Sequence, residues 1–113
     1  MNMEDVQSRG SKNRIKKCVF DLLSIGEMSD DENSWDILEK DLRLKSVFLY
    51  CDFSRVISHA PEEQKKSLTE LANRLFYYIE ELDHAVKLRN IPLTQNRYSD
   101  AAVVLHEVMS VML

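Results

Sequence analysis

The sequence predicts an all-α protein, an up-down-up-down four-helix bundle, on three observations. Four stretches repeat apolar residues at spacings of three and four, the period of one helix face. The whole chain holds only two glycines and two prolines, too few to turn the hairpins of a β-sandwich or barrel. The connections between the four stretches are short, and short connections make successive helices antiparallel neighbours that bury their stripes against one another.

The first stretch covers residues 14–25, where Ile15, Cys18, Val19, Leu22 and Ile25 form one stripe and Gly26 is placed to end the helix. Residues 1–13 are read as a frayed or extended start. The polar run that follows offers Ser29, Asp30, Asp31, Asn33 and Ser34 as acceptors for the orphan N–H groups of the next helix. That second helix is expected over 34–58. Trp35, Leu38, Leu42, Leu49, Phe53 and Val56 recur at near-heptad spacing, and Ile37, Leu44, Val47, Phe48 and Ile57 widen the apolar face, as if it met more than one neighbour. Asp36 and Glu39 near its start suit the helix dipole.

Pro61 marks the opening of a third helix, since proline is tolerated at the first helical position. Leu68, Leu71, Ala72, Leu75, Ile79, Leu82 and Val86 carry its stripe through to Leu88, and about 28 residues would extend roughly 42 Å. The pattern breaks at Pro92. Thr94 or Asn96 then caps a last helix lined by Tyr98, Ala101, Ala102, Leu105, Val108, Met109 and Met112.

At 113 residues the chain has room for one domain over 1–113 and one core. Its formal charge of −4 gives no global pull toward nucleic acid or anionic lipid. No stretch approaches the roughly 20 apolar residues of a membrane span, and the opening MNMEDVQSRG lacks the apolar region of a secretory signal. The basic cluster Arg9, Lys12, Arg14, Lys16 and Lys17 reads either as a solvated helix end or as a docking patch for an acidic partner. Cys18 and Cys51 read as two small buried apolar residues, with a single bridge stapling the first helix to the second as the alternative.

No motif for chemistry is complete, so no enzyme activity, cofactor or metal site is expected. Glu81 and His84 have the spacing used in carboxylate-bridged di-metal bundles, but the second copy is missing: Val103 stands three before His106 and Val56 three before His59. His106-Glu107 fails as a zinc-protease motif because Ser110 occupies the second histidine position. Successive side chains Phe76, Tyr77 and Tyr78 point around the third helix, so at least one tyrosine is expected to remain outside, either as an interface anchor or as an ordinary exposed ring.

Three stretches are more specific: Asp41-Leu42-Arg43-Leu44-Lys45-Ser46, Tyr50-Cys51-Asp52-Phe53-Ser54-Arg55-Val56-Ile57-Ser58 and Lys65-Lys66-Ser67-Leu68-Thr69-Glu70-Leu71. In that order they resemble PsbQ, the extrinsic oxygen-evolving enhancer subunit of photosystem II, and its PsbQ-like relatives. Arg14-Ile15-Lys16, Trp35, Leu75-Phe76 and Leu82-Asp83-His84-Ala85 extend the resemblance from about residue 14 to the end. It implies a non-catalytic four-helix subunit in the chloroplast thylakoid lumen, held peripherally on a membrane complex and not inserted. The long Pro-rich arm of photosystem II PsbQ is not seen before the first helix, and the chain is acidic where that protein is basic. Phe48-Leu49-Tyr50-Cys51-Asp52-Phe53, Asn73-Arg74-Leu75-Phe76 and Tyr98-Ser99-Asp100-Ala101-Ala102-Val103-Val104-Leu105 look more like the PsbQ-like proteins of the chloroplast NDH-like complex. The implied partners are then that complex and photosystem I, with photosystem II as the alternative. Exposed residues of the second and third helices, Arg43, Lys45, Tyr50, Arg55, Tyr77 and Tyr78, are the expected partner contacts.

Overall fold

The computed structural model describes residues 3–24 and 32–112, with side chains from residue 8 in the first helix and from residue 34 in the second. Four helices follow in order, α1 (Met3–Leu23), α2 (Glu32–His59), α3 (Glu62–Lys87) and α4 (Ile91–Val111), and no strand occurs among the described residues. Contacts run α1 to α2, α2 to α3, α3 to α4 and α4 back to α1, with none across either diagonal. This is the square section of a four-helix bundle, drawn out into a rod of 49 × 21 × 18 Å.

The predicted stripes are the core. Ile15, Val19, Leu22, Trp35, Leu42, Leu49, Phe53, Val56, Leu75, Ile79, Leu82, Val86, Leu105, Val108 and Met112 are all buried in one continuous cluster, joined by Val104, which the sequence pattern did not single out. Each pair of these helices can lose its apolar stripe from water only against its neighbours, so burial and not propensity fixes the arrangement.

The boundaries differ from expectation in informative places. Residues 3–13 are helical, not frayed or extended, and Ser11 is fully buried with its hydroxyl accepting from Arg14 Nη2 at 3.1 Å. Ile25, Gly26 and the cap candidates up to Asp31 lie outside the described residues, while Ser34 falls inside α2. Pro61 stands one residue ahead of α3 rather than in it, with φ −58° and ψ 148°. At α4 the cap is Asn90, whose side-chain oxygen accepts from the Leu93 N–H at 3.0 Å, so Pro92 sits in the first turn instead of breaking the pattern. The first turn has spare N–H groups, and a proline there costs nothing. Thr94, expected as a cap, is buried in the helix.

Arg89 closes the α3–α4 turn. Its φ of 56° is in the left-handed region, at the position just past a helix where glycine is usual. What recommends arginine there is reach: Nη2 donates to Asp36 at 2.7 Å, Nη1 to Glu39 at 3.3 Å, and the guanidinium lies 5.8 Å from the centre of the Trp35 ring. The Arg89→Ala chain loses these contacts and keeps the strain, whereas Arg89→Gly loses them and relieves it. Urea denaturation is expected to find Arg89→Gly more stable than Arg89→Ala by about 1 kcal/mol; equal stabilities would mean that the backbone there carries no strain.

Candidate functional site: the outer face of the second helix

Helices paired only side by side leave each an outer face, and that of α2 is unusual in being apolar. Of the ten large hydrophobic side chains exposed among the described residues, five lie on α2: Ile37, Leu44, Val47, Phe48 and Tyr50, each more than half accessible. These include four of the five residues expected to widen the core face. Helix geometry explains the difference: Ile37, Leu44 and Cys51 each follow a core residue, Trp35, Leu42 or Leu49, by two positions, which is about 200° around the helix. That offset was present in the sequence and marks a second stripe on the opposite side.

Two grooves flank this stripe. The one between α1 and α2, about 490 Å³, is lined by Leu44, Phe48, Cys51 and Cys18, with Arg14, Lys17, Lys45 and Arg55 around them and the carboxylates of Asp21 and Asp52. Its floor is fixed by an ion pair between helices. Arg14 donates from Nε and Nη2 to Asp52 Oδ1 at 3.1 and 3.0 Å, and Arg55 Nη1 stands 3.9 Å from the same oxygen. Asp52 is almost fully buried while both arginine side chains are more than half exposed, so one carboxylate anchors two cations at the surface. The groove between α2 and α3, about 550 Å³, holds Val47, Tyr50 and Phe76 beside Arg43, Glu80 and Asp83. Tyr50 packs on Phe76 at 5.8 Å between ring centres. Asp83 there receives Lys87 on Oδ2 at 2.8 Å, and its buried Oδ1 meets no donor among the described residues.

The six expected contact residues therefore divide among faces. Arg43 and Tyr50 line the α2–α3 groove and Lys45 and Arg55 the α1–α2 groove. Lys45 departs from the expectation of an exposed cation: it is mostly buried and paired with Asp41. Tyr77 projects from the outside of α3, edge-on to Tyr78 at 5.2 Å, and Tyr78 is half-buried against the core. No one surface brings all six together.

Both cysteines are free thiols, so the bridge between Cys18 and Cys51 is not present. They line one groove from different helices, Cys18 on α1 and Cys51 on α2, and they differ in environment. Cys51 is exposed, contrary to its reading as a buried residue. Cys18 is half-buried with Sγ 3.7 Å from the Lys45 carbonyl oxygen, and burial pushes its thiol up to about 11 against the opposing pull of the Lys45 ammonium. Little of Cys18 is therefore thiolate, the reactive form, near neutral pH. Labelling with a water-soluble disulfide reagent should show a fast thiol removed by Cys51→Ser and a second at least about tenfold slower; two equal rates would contradict this environment.

The ends and the remaining seam are tied for stability. Tyr98 donates its hydroxyl to the Leu23 carbonyl at 2.8 Å, so α4 supplies a partner for an orphan carbonyl at the end of α1, and burial pushes the phenol's pKa up. Arg74 grips Glu107 with two bonds of 2.8 and 3.0 Å across α3 and α4, holding that carboxyl below its usual range. Glu81, half of the lone Glu-x-x-His, approaches Arg97 Nε at 3.8 Å, and His84 is exposed. Among the described residues no three His, Cys, Asp or Glu side chains gather as a metal site would need, and no helix is long and apolar enough to cross a membrane.

The PsbQ family description, "Oxygen evolving enhancer protein 3", matches residues 1–113. The chain is 42% identical over 108 residues to the photosynthetic NDH subunit of lumenal location 3 from Arabidopsis thaliana, covering 96% of this chain and 49% of that protein. It is 34% identical over 97 residues to oxygen-evolving enhancer protein 3 of Spinacia oleracea, covering 86% of this chain and 41% of the relative. With the enhancer protein 3 of Onobrychis viciifolia it shares 41% over 81 residues, 71% of this chain and 35% of the relative. The chain spans about half the length, or less, of the curated relatives it matches.

Proposed function

The chain belongs to the PsbQ family, and from that premise we propose that it is a non-catalytic structural subunit of a thylakoid lumenal assembly, the lumenal subcomplex of the chloroplast NADH dehydrogenase-like complex. In this reading it supports cyclic electron flow around photosystem I and is held peripherally on the thylakoid membrane. The observation that carries the choice of complex is the match to the lumenal NDH subunit along 96% of the chain at 42% identity, where the enhancer of nearly equal identity matches only 71%. A rigid rod with an apolar outer face suits the role, because such a subunit stabilises its neighbours by binding them and needs no turnover.

The test is a pull-down from solubilised thylakoids with the tagged chain as bait and mass spectrometry of what is retained. Subunits of the NDH-like complex and photosystem I are the expected catch. Recovery of the photosystem II core with its extrinsic proteins would overturn the choice of complex and return the chain to an enhancer role.

A further inference from the structure

We infer that the α1–α2 groove is the seat of an acidic amphipathic helix supplied by a neighbouring subunit, with its apolar side on Leu44 and Phe48 and its carboxylates on Lys17 and Arg55. This goes beyond the subunit role proposed above and rests on it, since it names the chemistry of the partner and the face that takes it.

Three features of the groove converge on such an occupant. Two antiparallel helices with an exposed aliphatic and aromatic floor make a trough that a third helix can fill, the mode in which amphipathic helices are usually captured. From Leu44 to Arg55 the α2 side of the groove rises about 16 Å, or three turns of a partner helix. The charge around it opposes that of the protein as a whole, on a chain of net charge −4: with Lys45 held by Asp41 and Arg14 by the buried Asp52, Lys17 and Arg55 are the cations left to meet an occupant. The more deeply buried of those carboxylates, Asp52, anchors Arg14 and Arg55 at the surface instead of opposing an approaching charge there. A basic helix, or the same cationic groove of a second copy, would each be matched worse than an acidic helix. The α2–α3 groove is less suited, because Glu80 and Asp83 oppose Arg43 there.

The experiment uses thylakoid membranes from a line deleted for the endogenous subunit, to which the 113-residue chain is added and its retention on native complexes quantified. Leu44→Ala/Phe48→Ala and Lys17→Glu/Arg55→Glu are each expected to weaken retention about tenfold or more, the second most strongly at low salt, while Val103→Ala on exposed α4 surface stays within twofold. All the substituted side chains are exposed, and melting followed by circular dichroism checks that each variant folds. In parallel, wild-type chain carrying a photo-crosslinker on Cys51 is irradiated in place, and the joined peptide is expected to lie in a helix whose apolar residues are flanked by Asp or Glu. Undiminished retention of both double variants would overturn the inference, as would a crosslink into a basic or extended segment, or a dimer of this chain lost with Phe48→Ala. Retention of the wild type on photosystem II with full sensitivity to the groove variants would instead overturn the choice of complex and leave the groove assignment standing.

Discussion

Replacing Trp35 by alanine is expected to destabilise the protein by about 3–5 kcal/mol, the range found when a buried aromatic is truncated to alanine. Trp35 is only 2% exposed and heads the fully buried side chains by volume, so its removal leaves a large cavity in the packed core. The loss extends beyond the ring. Arg89 lies over it and reaches past it to Asp36 and Glu39, which ties the α3–α4 turn to the start of α2. Without the indole face beneath it the guanidinium keeps its carboxylates but loses its platform, and the end of the bundle loosens. For a domain of this size each kcal/mol moves the midpoint by about 4–8 °C, so a fall of about 15 °C or more is expected. Because Trp35 is the chain's one tryptophan, the comparison must be read by far-ultraviolet circular dichroism rather than fluorescence. A fall of less than 1 kcal/mol would show that this end of the bundle is not packed around the ring.

Much of this was legible in the sequence, for a reason that also marks where legibility stops. The stripe Leu68–Leu71–Leu75–Ile79–Leu82–Val86 has one period and one solution, and α3 buries it as read. In α2 the periodicity carries two stripes that merge into a single wide face when only spacing is read, although Ile37 and Leu44 sit on the far side of the axis from Trp35 and Leu42. A pattern of apolar residues reports that surface seeks cover; it does not say whether the cover is in the same chain. The ion pairs were harder still. Arg14 read as one charge in a basic cluster, and its partner Asp52 is 38 positions away; only the register of α1 against α2 brings them together, and single-helix patterns do not encode register. Arg89 is the same case across 50 and 53 positions. The α4 cap differs for another reason: Pro92 interrupts the apolar pattern, yet a first-turn proline is compatible with a cap two residues earlier at Asn90.

Two phenylalanines five positions apart on α2 offer the sharpest separation of folding from docking. Five residues turn the helix by about 500°, which leaves Phe53 and Phe48 some 140° apart. Phe53 is 1% exposed and meets Phe76 edge-on at 6.3 Å, whereas Phe48 is 55% exposed on the rim of the α1–α2 groove. Phe53→Ala is expected to cost about 3–5 kcal/mol in denaturant unfolding, because it opens a cavity between α2 and α3. Phe48→Ala should stay within about 0.5 kcal/mol of the parent chain, since it exchanges an already hydrated ring for a residue of higher helix propensity. Their order in an assembly assay should be reversed. At a temperature where both remain folded, Phe53→Ala should still be retained on thylakoid complexes, and Phe48→Ala should be released, because the energy of its ring is realised only when a partner covers it. Equal stability losses in the two variants would mean that Phe48 is part of the core and that α2 has no free apolar face. Retention that tracks stability alone would mean that docking uses another side of the rod.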